Sequence, residues 1–76
     1  MTDIIIPIST VVPVYCGQAY LPALVEKLGQ LRSAWETADA PMRLSEAIFV
    51  VDAAIDGSER VLRELSRQYD WVKVLT

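Results

Sequence analysis

The sequence predicts an α/β fold: a three-stranded parallel sheet with two helices, in β-α-β-α-β order. Three observations carry this. Apolar runs of strand length, rich in β-branched residues, recur three times along the 76 residues. Between them the apolar spacing lengthens to three and four, the period of an amphipathic helix. Strand and helix signals alternate strictly, the pattern of consecutive βα units with right-handed crossovers and parallel strands.

The first strand falls at residues 8–14, where Ile8, Val11, Val12 and Val14 are bounded by Tyr15-Cys16-Gly17. Its near-continuous apolar character suits a parallel sheet covered on both faces. The first helix, residues 19–35, follows from Leu21, Leu24, Val25, Leu28, Leu31 and Trp35 at steps of three and four. Pro22 stands in its first turn, where the missing N–H costs nothing. Gly29, inside the helix, weakens it by about 1 kcal/mol relative to alanine. The polar stretch 36–45, with Pro41, reads as a connector. Residues 46–52 form the second strand through Ala47-Ile48-Phe49-Val50-Val51. A second helix at 58–69 turns Val61, Leu62, Leu65 and Tyr69 inward and sets Glu59–Arg63 and Arg60–Glu64 pairs four apart on its outer side. Asp70 ends it, and residues 71–75 form the third strand. The chain reads as one α/β domain over 1–76, short of the usual ~100–150 residues.

Composition narrows the function classes. At 53% hydrophobic and 22% charged the chain is not a disordered segment. One cysteine, Cys16, and no histidine exclude a disulfide-stapled module and a four-ligand zinc site. Seven basic against ten acidic residues give a net charge of −3 and no footprint for nucleic acid. The apolar run 4–14 carries two prolines and is too short for a membrane span of about 20 residues. It also lacks the basic flank of a signal peptide. A cytoplasmic protein without a membrane span is expected.

In an open parallel sheet, ligands bind beyond the carboxyl ends of the strands. Here that edge carries residues 15–18 and 52–58. Asp52 ends the second strand, where its carboxylate either accepts from a ligand N–H or closes a local turn. Asp56-Gly57-Ser58-Glu59 is a D-x-x-E capping box, so Asp56 has a helix-capping role to set beside ligand contact. Tyr15 can stack on a planar ligand or pack at the rim. Cys16 has no base or arginine in the loop that follows it and reads as a small semi-buried residue. Trp35 and Trp71 read as packing, and Arg60, Arg63 and Arg67 as a solvated face.

The stretch Ser9-Thr10-Val11-Val12-Pro13-Val14-Tyr15-Cys16 resembles the S-V-V-I-P-V-Y-N opening of the inverting family 2 glycosyltransferases. Residues 46–58 lie without gaps on that family's E-I-I-V-V-D-D-G-S-T-D-G-T. The resemblance covers nearly the whole chain. It implies the N-terminal, nucleotide-binding part of a GT-A, Rossmann-like fold. The donor nucleotide would be held by Pro13, Val14 and Tyr15 and by Asp52, with Asp56 at the family's later aspartate. Val51, Ala53, Ala54 and Cys16 depart from the family pattern. The family's D-x-D metal motif and catalytic base lie further along such enzymes, and this chain contains no D-x-D. The resemblance therefore implies no cofactor within the chain and no activity from these residues alone. A full-length relative would use divalent Mg or Mn, transfer a sugar from a nucleotide diphosphate donor, and work at the inner face of a membrane.

Two other readings share the scaffold. A non-catalytic interaction domain would account for the loss of polarity at Val51, Ala53 and Ala54. A flavodoxin- or receiver-type module would need an acidic cluster and an aspartate after its third strand, where this chain reads Val74-Leu75-Thr76. In the family's sheet, strand one is flanked by strand two and by a later strand. Residues 8–14 would therefore be an open apolar edge, and homodimerisation by strand pairing or swapping through it is expected.

Overall fold

A computed structural model describes residues 4–52 and 56–76. The chain is α/β, ordered β1 (Ile6–Val14), α1 (Leu21–Thr37), β2 (Met42–Val51), α2 (Ser58–Gln68) and β3 (Val72–Leu75). The three strands are parallel and lie in the order β1-β2-β3. The five expected elements are present in the expected order.

The largest boundary difference is β2, which begins at Met42 rather than at residue 46. Its added residues pair with the start of β1, itself two residues earlier than expected, Ile6↔Met42 through Ile8↔Leu44. A parallel strand must find a partner for every buried backbone group, so extending β1 through Pro7 draws the connector into the sheet. The register then slips between Ile8 and Ser9, and Ser45 is left as the additional residue on β2. This bulge lets both Leu44 and Ala47 turn to the same buried side, although they stand three apart. Arg32 of α1 meets the irregularity directly: its Nε–H donates to the Leu44 carbonyl at 2.9 Å.

Helix α1 begins two residues later than expected, with Pro22 in its first turn. It ends in a left-handed turn at Asp39, φ 54°. Asp39 N–H donates to Glu36 O and Ala40 N–H to Trp35 O, a Schellman arrangement with aspartate in the place glycine usually takes.

Both helices lie on one face of the sheet. Leu21 and Val25 of α1 and Leu62 and Leu65 of α2 form a single core with Val14, Ala47, Phe49, Val51, Trp71 and Val72. The alternate strand positions are uncovered: Val11 is 62% exposed, Leu75 56%, and Ile48 and Val50 are half-buried. A sheet covered on both faces was expected from the apolar runs, and among the described residues only one face is covered. With strands in sequential order, two crossovers of one hand necessarily stack both helices on the same side.

β1 is an edge strand of this sheet. Ile6 N–H donates to Pro41 O and Val14 O accepts from Asp52 N–H, so the even-numbered residues of β1 turn their backbone groups toward β2. Pro7 and Pro13 therefore fall on outward-facing positions, the places on an edge where a missing N–H is tolerated.

Candidate functional site

The site is built where β1 and β2 end. Val14 is paired with Val51, and Asp52 N–H donates to the Val14 carbonyl at 3.1 Å. That bond carries Asp52 to the end of β2 beside the departing Tyr15. Strand alternation sends the two neighbours of Val14 to the uncovered side, so Pro13 and Tyr15 share a face with Asp52. Tyr15 is 65% exposed, and Asp52 is exposed. Val14 points the other way and is 1% exposed in the helix-side core. Its side chain packs and cannot touch a ligand, leaving only its backbone for contact.

Asp56 does something different from either role expected of it. The residue at the start of α2 is Gly57, with no side-chain capping bond. Asp56 stands one residue earlier and accepts from Ser58 N–H at 3.0 Å, from the Ser58 hydroxyl, and from Gln18 N–H at 3.2 Å. This is an Asx-type turn that bridges two loops, in place of the capping box read from Asp56 and Glu59. The Ser58 hydroxyl, fully buried, accepts from Gly17 N–H at 2.8 Å. Gln18 completes the latch by accepting from Gly57 N–H at 3.0 Å through Oε1.

The Ser58 hydroxyl, foremost, holds the Asp56 carboxyl below its ordinary value of 3.8. Burial opposes this shift, while the Ser58 and Gln18 backbone N–H groups reinforce it. The carboxylate is thus committed to holding the β1–α1 loop against the start of α2. Close approach is required at both ends: a Cβ on Gly17 would stand 2.8 Å from Tyr20 Cζ, and one on Gly57 would stand 2.9 Å from Gln18 Cδ.

The candidate residues therefore divide. Pro13, Tyr15 and Asp52 come together on an open edge, whereas Val14 and Asp56 support that edge from the core side. Ala53 and Ala54, where the sequence departs from the family pattern, lie outside the described residues. Cys16 is exposed rather than semi-buried. Gln18 and Ser58, which tie the two loops together, were not singled out from the sequence. The only local signal for them was their position flanking two glycines. Their pairing across about 40 residues depends on the strand register.

Among the described residues no three potential metal ligands of the His, Cys, Asp or Glu type come together. Asp56 is already engaged, so Asp52 stands as a lone carboxylate. These residues do not fit the divalent ion that the glycosyltransferase resemblance implies for a full-length relative. An open groove of about 760 Å³ lies away from this edge, between α1 and the turn before β3. It is walled by Gly29, Arg32, Tyr69 and Trp71, with Arg32 stacked 4.9 Å above the Trp71 ring. Its polar groups are those of a stacked helix corner, and the Arg32 Nε–H is bound to Leu44 O.

No family model, curated protein or solved structure matches the chain. No helix among the described residues is long and apolar enough to cross a membrane.

Proposed function

We propose that the chain is the donor-nucleotide-binding N-terminal segment of a family 2-like glycosyltransferase. The observation that carries this reading is the placement of Tyr15 and Asp52, each exposed, at the carboxyl ends of two adjacent parallel strands. A carboxylate there can accept from a base N–H, and the Tyr15 ring can lie against the base plane. Pro13 and the Val14 backbone form the floor beside them. Asp56 acts as a positioning residue, holding the Tyr15–Gln18 loop through Gln18 N–H rather than touching the nucleotide.

The ligand is a nucleotide diphosphate sugar, and the reaction of the whole enzyme is a single inverting displacement. Metal ligands and the catalytic base belong to other parts of such an enzyme, so these residues bind the donor and do not turn it over. The segment works in the cytoplasm, at the inner face of a membrane.

Titration of the labelled chain with UDP and with GDP, followed by amide NMR shifts, tests the reading. Shifts concentrated at Tyr15, Cys16 and Asp52, lost in Asp52→Asn, are expected. A spectrum unchanged at about 5 mM of both UDP and GDP, a level that detects binding as weak as about −3 kcal/mol, overturns it.

A second reading, a non-catalytic interaction domain, is favoured by one observation: the apolar face of the sheet opposite the helices is uncovered.

A further inference from the structure

We infer that the uncovered sheet face is a self-association surface, on which a second copy of this chain docks face to face. The inference does not rest on the nucleotide reading, although the two share Pro13 and the same face of the sheet. It concerns the face rather than the edge through which strand pairing was expected.

The face is apolar at its centre. Val11 and Pro13 of β1, Ile48 and Val50 of β2, and Leu75 of β3 occupy neighbouring positions, with Val11 opposite Ile48 and Val50 opposite Leu75. Parallel sheets are ordinarily covered on both faces, because their side chains are apolar on both. An uncovered patch of this kind on a small protein marks a contact surface.

Three properties point to a second copy as the occupant. The first is charge. The chain carries −3 overall, so two copies repel unless they meet through a neutral surface. On this face of the sheet the charged residues balance, two acids against two bases: Glu46, held by the Ser9 hydroxyl at 2.8 Å, and Asp52 beyond Val50, with Lys73, opposite Ile48, and Arg43, opposite Pro7. Glu46 and Lys73 sit diagonally on neighbouring strands and make no ion pair with each other among the described residues. A two-fold axis that places Glu46 over the partner's Lys73 forms the same contact twice, as an isologous interface requires.

The second property is size. With strands about 4.8 Å apart and about 3.3 Å per residue, β1 and β2 span roughly 10 by 30 Å and the four residues of β3 add roughly 5 by 13 Å. A face of that extent matches the small interfaces of weak, transient association. The third is the state of the neighbouring edge. Pro7 and Pro13 remove two of the outward donors of β1, leaving Ser9 and Val11 to offer N–H groups. A continuous added strand has no full ladder to join there, whereas face packing needs none.

Sedimentation velocity on the full chain from about 5 to 200 µM tests the inference, a range that brackets micromolar association. A monomer–dimer equilibrium is expected, with Val11→Asp abolishing the dimer while the far-ultraviolet circular dichroism stays unchanged. Glu46→Lys and Lys73→Glu should each weaken association about tenfold, and the double exchange should restore it. The outward Ser9 and Val11 amides should exchange with solvent as fast in the dimer as in the monomer. A monomer throughout the range overturns the inference. So does a dimer that survives Val11→Asp, and so does one in which the Ser9 and Val11 amides become protected, the signature of edge pairing.

Discussion

Ser58 is the residue on which the two loops of the candidate site depend. Its hydroxyl is fully buried, accepts from Gly17 N–H and donates to Asp56, so one side chain joins the β1–α1 loop to the start of α2. Removing it strands a buried backbone donor, which costs about 1–3 kcal/mol. Ser58→Ala should lower stability by that amount in urea unfolding. The same substitution deletes the leading cause of the lowered Asp56 pKa, and the sign of the pH effect follows. A carboxyl whose folded value lies below its unfolded value stabilises at pH above the unfolded value, and that contribution is lost as pH falls through the folded one. Acid unfolding of the parent chain should therefore carry an Asp56 contribution below about pH 3.8 that is reduced in Ser58→Ala. Equal acid limbs in the two proteins would contradict the latch.

At the scale of elements, α1 carries a correctable weakness. Gly29 is a helix-interior glycine, and the Cβ of an alanine there would stand 3.5 Å from Trp71 Cζ2, an ordinary contact. Gly29→Ala should stabilise the chain by about 1 kcal/mol, read as a raised midpoint in thermal or urea unfolding. A lowered midpoint would mean that the Trp71 ring, in contact with both Arg32 and Tyr69, cannot yield even slightly. The same corner explains why the sequence misplaced the start of β2. Residues 42–45 look polar and connector-like, but Leu44 is buried and its carbonyl is taken by Arg32. A bulge that absorbs Ser45 leaves no local trace, because it exists only relative to the partner strand.

For the whole molecule, the decisive feature is that both helices share one side of the sheet. β2 is paired on both edges and β1 on one, so backbone protection should be unequal. Hydrogen exchange should find the Phe49 and Val50 amides among the slowest and the outward Val11 amide fast. Face-to-face association should leave Val11 fast, since it adds no backbone partner to that N–H. A Val11 amide that slows with rising protein concentration would instead mean a strand had joined the edge.

What the sequence by itself determined was periodicity and punctuation: five elements, their order, their parallel character, and the residues placed at the strand ends. These are legible because a two-residue or 3.6-residue apolar repeat and a well-placed proline act through neighbours in the chain. The tertiary structure alone decided which of those residues could serve a ligand. Val14 and Asp52 stand at matching strand ends, yet alternation across the pleat buries one and exposes the other. Asp56 has the pattern of a cap, yet register brings Gln18 and Ser58 to its carboxylate and makes it a bridge. Coverage was likewise beyond the sequence, since an apolar strand states that both its faces avoid water but not what shields them. Strand order placed both helices against Phe49 and left Ile48, on the opposite face of the same strand, for another surface to cover.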